Sequence, residues 1–146
     1  GDLTLAAGAE RLGGSNRQQI IGAGGPGDRL KSLIWGETDD SPNWGTFANS
    51  EVSTDDSILN TPSVLINEGT ASPVTQTLYT NGALAREYTD SFAGSPPDRR
   101  NIGKEKGSSH HFNGRIFGCL ALGRTLSGQE RSKINQYLAN KTGVTL

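Results

Sequence analysis

The run Val74-Thr75-Gln76-Thr77-Leu78-Tyr79-Thr80-Asn81-Gly82-Ala83-Leu84-Ala85 constrains the fold of this chain more than any other. Asn-Gly supplies the two positive φ angles that a type I′ turn demands, and β-prone residues flank it on both sides, so the segment predicts a two-residue β-hairpin. Short apolar stretches recur elsewhere with Gly, Pro, Asn, Asp and Ser clusters between them: Leu3 to Ala7, Gln18 to Ile21, Leu30 to Trp35, Val64 to Ile66 and Phe112 to Leu122. That spacing is the pattern of many short strands. Two stretches, Gly36 to Asn60 and Ser91 to Ser109, read as long irregular loops, where a sandwich usually carries its function.

In the last strand, Phe112, Ile116, Leu120 and Leu122 fall on one face by alternation, while Phe117, Cys119 and Ala121 fill much of the other. A strand apolar on both faces is covered on both, here by an opposing sheet and by a helix. The helix is signalled directly. Ser127-Gly128-Gln129-Glu130 is a capping box, Ile134, Tyr137 and Leu138 follow on one predicted face, and Gly143 is a C-terminal stop. The expected fold is therefore all-β: an antiparallel β-sandwich closed by one C-terminal amphipathic helix.

Composition narrows the classes of function. Fourteen basic and fifteen acidic residues give a net charge of −1, with no long run of either sign, so nothing marks a nucleic-acid tract or a basic membrane-surface helix. No apolar run approaches the about 20 residues that a membrane-spanning helix requires. One cysteine, Cys119, lies among apolar neighbours and reads as a small core hydrophobe.

"LYTNGALA", then Asn101-Ile102-Gly103, then "FNGRIFGCLALGRTLSGQERSKINQYLANKTGV" occur in that order. The succession resembles the C-terminal half of concanavalin A-like, or laminin G-like, jelly-roll domains. Its closing phrase is similar to the copies in bacteriophage tail and other virion-surface proteins. "LTLAAGAERLGGSNRQQIIGAGG" at the start is similar to an earlier strand pair of the same fold. The resemblance implies a single jelly-roll domain over residues 1–146, with one or two opening strands supplied by another part of the polypeptide or by another subunit.

Several patterns point to chemistry whose context is missing. Gly22-Ala23-Gly24-Gly25-Pro26-Gly27 matches a dinucleotide fingerprint, but no parallel strand with a ribose-binding acid follows, so a turn between antiparallel strands is expected. His110 and His111 are adjacent and would point to opposite faces of a strand. Glu37, Asp39, Asp40, Asp55 and Asp56 place hard oxygens in a loop, as Ca²⁺ prefers, without an EF-hand pattern; a solvated acidic loop with no cofactor is the expectation and calcium the alternative. Glu37-Thr38-Asp39 could start a glucanase carboxylate pair, but it runs into a Pro42 turn and lacks a third acid. No serine sits in a nucleophile-elbow sequence. The chain is not expected to be an enzyme.

Trp35, Trp44, Phe47, Tyr88 and Phe92 lie in or beside the two loops, where an aromatic ring flanked by Asp and Asn would suit the apolar and hydroxyl faces of a sugar. Trp44, Asp39, Asp40 and Asn43 are the candidate contacts, although Trp44 could equally cap the core. The expected role is a non-catalytic recognition module at a virion surface or otherwise outside the cell, binding a glycan or a protein as a homo-oligomer or within a larger assembly. The alternative is a decoration or assembly domain of a phage capsid or tail that binds no sugar.

Overall fold

The structure is a computed structural model that describes residues 2–14, 16–23, 32–38, 43–47, 51–57, 59–71, 74–89, 100–104 and 111–146. Among the described residues ten strands and one helix follow one another: β1 (Leu3–Arg11), β2 (Asn16–Ala23), β3 (Ser32–Thr38), β4 (Asn43–Phe47), β5 (Glu51–Ser57), β6 (Ser63–Ala71), β7 (Val74–Thr80), β8 (Ala83–Thr89), β9 (Arg100–Ile102), β10 (Gly114–Leu122) and α1 (Gly128–Thr142). They form two five-stranded sheets. Sheet A runs β10-β1-β6-β7-β8 and sheet B runs β5-β4-β3-β2-β9, with each of these strand pairs antiparallel.

The hairpin at Asn81-Gly82 forms as its sequence requires, with φ of 49° and 84° at the two turn residues. Asn81 also ties the turn to the next strand: its backbone N–H donates to the Val64 carbonyl and its Oδ1 accepts from the Val64 N–H, both at 2.8 Å. The side chain thereby extends the β6–β7 ladder one step past Thr80.

The core lies between the sheets. Leu3, Leu5, Ala7 and Ala9 of β1, with Leu65 and Leu78, meet Ile20, Ile21, Trp44 and Val52 of sheet B. The even-numbered face of β1 and β6, through Ala6, Val64 and Ile66, packs on Leu138 and Ala139 of α1. β1 is thus buried along its whole length, as a strand between a sheet and a helix must be.

The two loop expectations are corrected. The 36–60 segment is not one irregular loop, because it contains β4 and β5. Their inward positions alternate in a way that polar residues disguised: Trp44 and Thr46 on β4, Val52 and Thr54 on β5, all buried. The threonines tolerate burial because they are bonded, Thr46 Oγ1 to Gln76 Oε1 at 3.1 Å and Thr54 Oγ1 to the Trp44 carbonyl at 3.0 Å. Of the 91–109 segment, β9 is a strand, and residues 91–99 and 105–109 lie outside the described residues.

In β10, Ile116 and Leu120 do not share a face. The register passes from Ala9↔Ile116 to Gly8↔Gly118, so Phe117 is an extra residue. That bulge inverts the alternation, leaving Ile116 and Cys119 against the inter-sheet core and Leu120 against the helix. Cys119 is half-buried, and burial pushes its thiol up from the ordinary range.

The helix cap matches its sequence. Ser127 Oγ accepts from the Glu130 N–H, Glu130 accepts from the Ser127 N–H, and Gly143 closes the helix in the left-handed region. The buried stripe is Asn135, Leu138, Ala139 and Thr142, and Tyr137 is 59% exposed. At about 100° per residue, Tyr137 falls a quarter-turn from Leu138 and off the packed face. Two ion pairs fix α1. Arg124 engages Glu130 at 2.6 Å, and Arg131 reaches the buried Glu68 of β6 at 2.8 Å while lying 4.4 Å above the Tyr79 ring.

Candidate functional site

Sheet A spends its outer face on α1, which packs on β1, β6 and β10. The outer face of sheet B carries the side chains of that sheet that do not enter the core, and inward packing decides which residues lie on it. Trp44 and Thr46 point to sheet A, so Asn43 and Gly45 point away. Val52 and Thr54 point inward, so Ser53 and Asp55 point away. On β2, Ile20 and Ile21 both enter the core across a register shift, which turns Gln19 and Gly22 outward.

Pairing aligns these positions. Gln19 pairs with Ile34, Ile34 with Gly45, and Gly45 with Ser53, giving one row across β2, β3, β4 and β5. Beside it Gly22 pairs with Asn101 of β9. The glycines mark close internal packing: a Cβ on Gly45 would lie 2.2 Å from the Val52 carbonyl oxygen, and one on Gly22 would collide with the Gln19 carboxamide. Gln19 therefore lies across Gly22. It is 8% exposed, and its Oε1 accepts no hydrogen bond. A buried amide oxygen without a donor costs about 1–3 kcal/mol, which a donor brought by a ligand or water would recover.

Of the residues singled out from sequence, Asp39 and Asp40 lie outside the described residues. Asn43 opens β4, half-buried, on the outward side. Trp44 follows the core reading: it is fully buried, and its indole N–H donates to Thr80 Oγ1 at 2.8 Å across the two sheets. Its ring is not a surface on which a sugar could stack. Gln19, Gly45 and Ser53 were not singled out, and Gly22 and Asn101 were named only in the dinucleotide-like run and the jelly-roll resemblance. Their signal in the sequence is faint, since it consists only of alternating with core residues on strands whose register is set by tertiary pairing.

The face carries carboxamides, a hydroxyl, glycine backbone and the Ile34 position; Gln19, Gly22 and Gly45 are buried in it, Ser53 and Asn101 are half-buried, and Asp55 is exposed at the β5 side. That chemistry can donate and accept hydrogen bonds to a polar ligand. The glycines of the dinucleotide-like motif do not follow a parallel strand, because Gly22 lies within β2, which pairs antiparallel on both sides. His111 is exposed and pairs with Lys104. Among the described residues no three His, Cys, Asp or Glu side chains converge as a metal site, and no helix among them is long and apolar enough to cross a membrane.

No protein-family model matches the chain, and no curated protein matches it. Solved structures do. A candidate carbohydrate-binding protein from Bacteroides ovatus superimposes with a TM-score of 0.73 at 13% identity, over 88% of this chain and 39% of that one. The IT-sialidase CBM40 of Ruminococcus gnavus, solved with α2,6-sialyllactose, gives 0.67 at 12% identity, over 92% of this chain and 82% of that one. Trypanosoma rangeli sialidase gives 0.67 at 21% identity, over 95% of this chain and 23% of the enzyme. The chain thus spans well under half the length of the first and third of these proteins. At such identities the likeness is one of fold, and the fold is a β-sandwich of the jelly-roll type with antiparallel sheets and one helix near the C-terminus.

Proposed function

We propose that this chain is a non-catalytic glycan-recognition module whose contact surface is the outer face of sheet B together with the loops that flank it. The observation that carries the reading is the Gln19–Ile34–Gly45–Ser53 row, with the buried, undonated Gln19 Oε1 at one end and the half-buried Ser53 at the other. Sugars present hydroxyl rims that pair with amides and hydroxyls. A fold shared with a CBM40 solved with sialyllactose supports it. Asp39, Asp40 and Asn43 are proposed as rim contacts because Asn43 opens β4 on the outward side. Affinity would come from several weak contacts, multiplied by valency. An extracellular or virion-surface setting is part of the proposal and draws on the resemblance of the terminal phrase.

A glycan array that includes sialylated lactosides tests this. The folded chain should give signal that Gln19→Ala and Asp40→Ala each reduce at least tenfold, while Glu87→Ala on β8 leaves it unchanged. A folded chain silent on the array, or Gln19→Ala binding at full strength, would overturn the placement. The second reading, an assembly domain, is favoured by one feature of sheet A, the charge-free stretch of β10 from Gly118 to Leu122.

A further inference from the structure

The four sheet edges are defended unequally. β8 carries Arg86 and Glu87, β5 carries Glu51, Asp55 and Asp56, and β9 is three residues long. Charges and short length are the usual guards against strand-to-strand association. β10 is nine residues long and ends sheet A, with β1 as its partner among the described strands. Its one charge, Arg115, lies before the Phe117 bulge and is engaged by Glu10 at 3.2 Å. Beyond the bulge, residues 118–122 pair regularly with β1 and read Gly-Cys-Leu-Ala-Leu, without charge or proline. All five are half-buried or exposed.

We propose that two copies of this chain pair antiparallel through residues 118–122 of β10, joining their A sheets into one. The edge fits itself. Centred on Leu120, the pairing sets Leu120 against Leu120, Cys119 against the partner's Ala121 and Gly118 against the partner's Leu122, so no charge opposes a charge. Leu120 and Ile134 pack with the helix cluster. Tyr137 lies on the Ile134 side of α1, 59% exposed, with the Lys141 ammonium 5.4 Å from its ring centroid. A two-fold axis relating antiparallel neighbours stands perpendicular to the sheet. Both helices therefore share one side of the joined sheet, and both B sheets share the other. The pairing stands independently of what sheet B binds; only its consequence, two glycan faces turned the same way, relies on the function proposed above.

Light scattering after size exclusion, over two decades of concentration, reads the association directly. The chain should elute at twice its mass, and Ala121→Lys should return it to one chain with its circular dichroism unchanged, whereas Thr89→Lys on β8 should leave the pair intact. Ala121→Cys, which needs no disruption, should cross-link to Cys119 of the partner subunit under mild oxidation, since directly opposed strand residues lie within disulfide reach. A single-chain mass at every concentration overturns the proposal, as does a dimer in which Ala121→Cys stays uncross-linked. None of these outcomes depends on the glycan array.

Discussion

Gly8 of β1 and Gly118 of β10 face each other across the ladder, and both lie directly beneath α1. A Cβ on Gly8 would stand 2.6 Å from Thr142 Cγ2, and one on Gly118 would stand 3.3 Å from Leu138 Cδ2. The paired glycines form the shallow bed that lets the helix settle on sheet A. Gly8→Ala should therefore lift the C-terminal turn and cost about 1–3 kcal/mol, the usual range for overpacking, with Gly118→Ala costing less. Urea denaturation measures both. Thr142→Ser removes the opposing methyl and keeps the hydroxyl that donates to Ala139, so the Gly8→Ala/Thr142→Ser pair should recover part of the loss.

Glu68 anchors the opposite end of the helix. Its carboxylate accepts from Arg131 Nε and Nη2 at 3.2 and 2.8 Å and from the Leu126 N–H at 3.3 Å, with its side chain 7% exposed. Glu68→Leu strips Arg131 and Leu126 of their acceptor together. The expected cost is about 2–3 kcal/mol, below the range for a fully buried pair because Arg131 keeps some access to water. Hydrogen exchange should show the loss concentrated in the first turns of α1.

The parts of this fold legible in the sequence are those fixed by neighbours along the chain. Asn81-Gly82 dictates its own turn, and Ser127 with Glu130 dictates a helix start, so both were readable from a few residues. β4 and β5 were not, because Thr46 and Thr54 occupy core positions that only partners distant in sequence make tolerable. The Phe117 bulge likewise has no local signature, yet it decides which face Leu120 joins. The candidate site depends on long-range register throughout. Gln19, Gly45 and Ser53 are unremarkable residues until pairing sets them in one row, whereas Trp44, the residue that drew notice, belongs to the core.

The capping box makes α1 sensitive to acid. Arg124, bonded through its guanidinium, and then the Ser127 amide and hydroxyl hold the Glu130 carboxyl down to about 2 from an ordinary value of 4.5. A carboxyl whose folded value is depressed contributes stability that is complete above the unfolded value and is lost as pH falls through the folded one. The cap should thus weaken progressively between about pH 4.5 and pH 2. Exchange of the Glu130 and Arg131 amides should accelerate across that window relative to the Asn81 amide, and Glu130→Gln should flatten the difference.

Trp44 separates packing from recognition. Its indole N–H donates to Thr80 Oγ1 at 2.8 Å in a buried contact that links sheet B to sheet A. Trp44→Phe keeps most of the apolar volume but strands the hydroxyl, for an expected loss of about 1–3 kcal/mol. Replacing both partners, Trp44→Phe with Thr80→Val, removes the polar group as well and should be less damaging than the sum of the single changes. A denaturant cycle over the four proteins measures that coupling. Because the ring faces the core and not the row from Gln19 to Ser53, Trp44→Phe should leave glycan-array signal intact under conditions where the variant is folded. A selective loss of binding in a stable Trp44→Phe protein would instead place the sugar contact on the Trp44 side of β4.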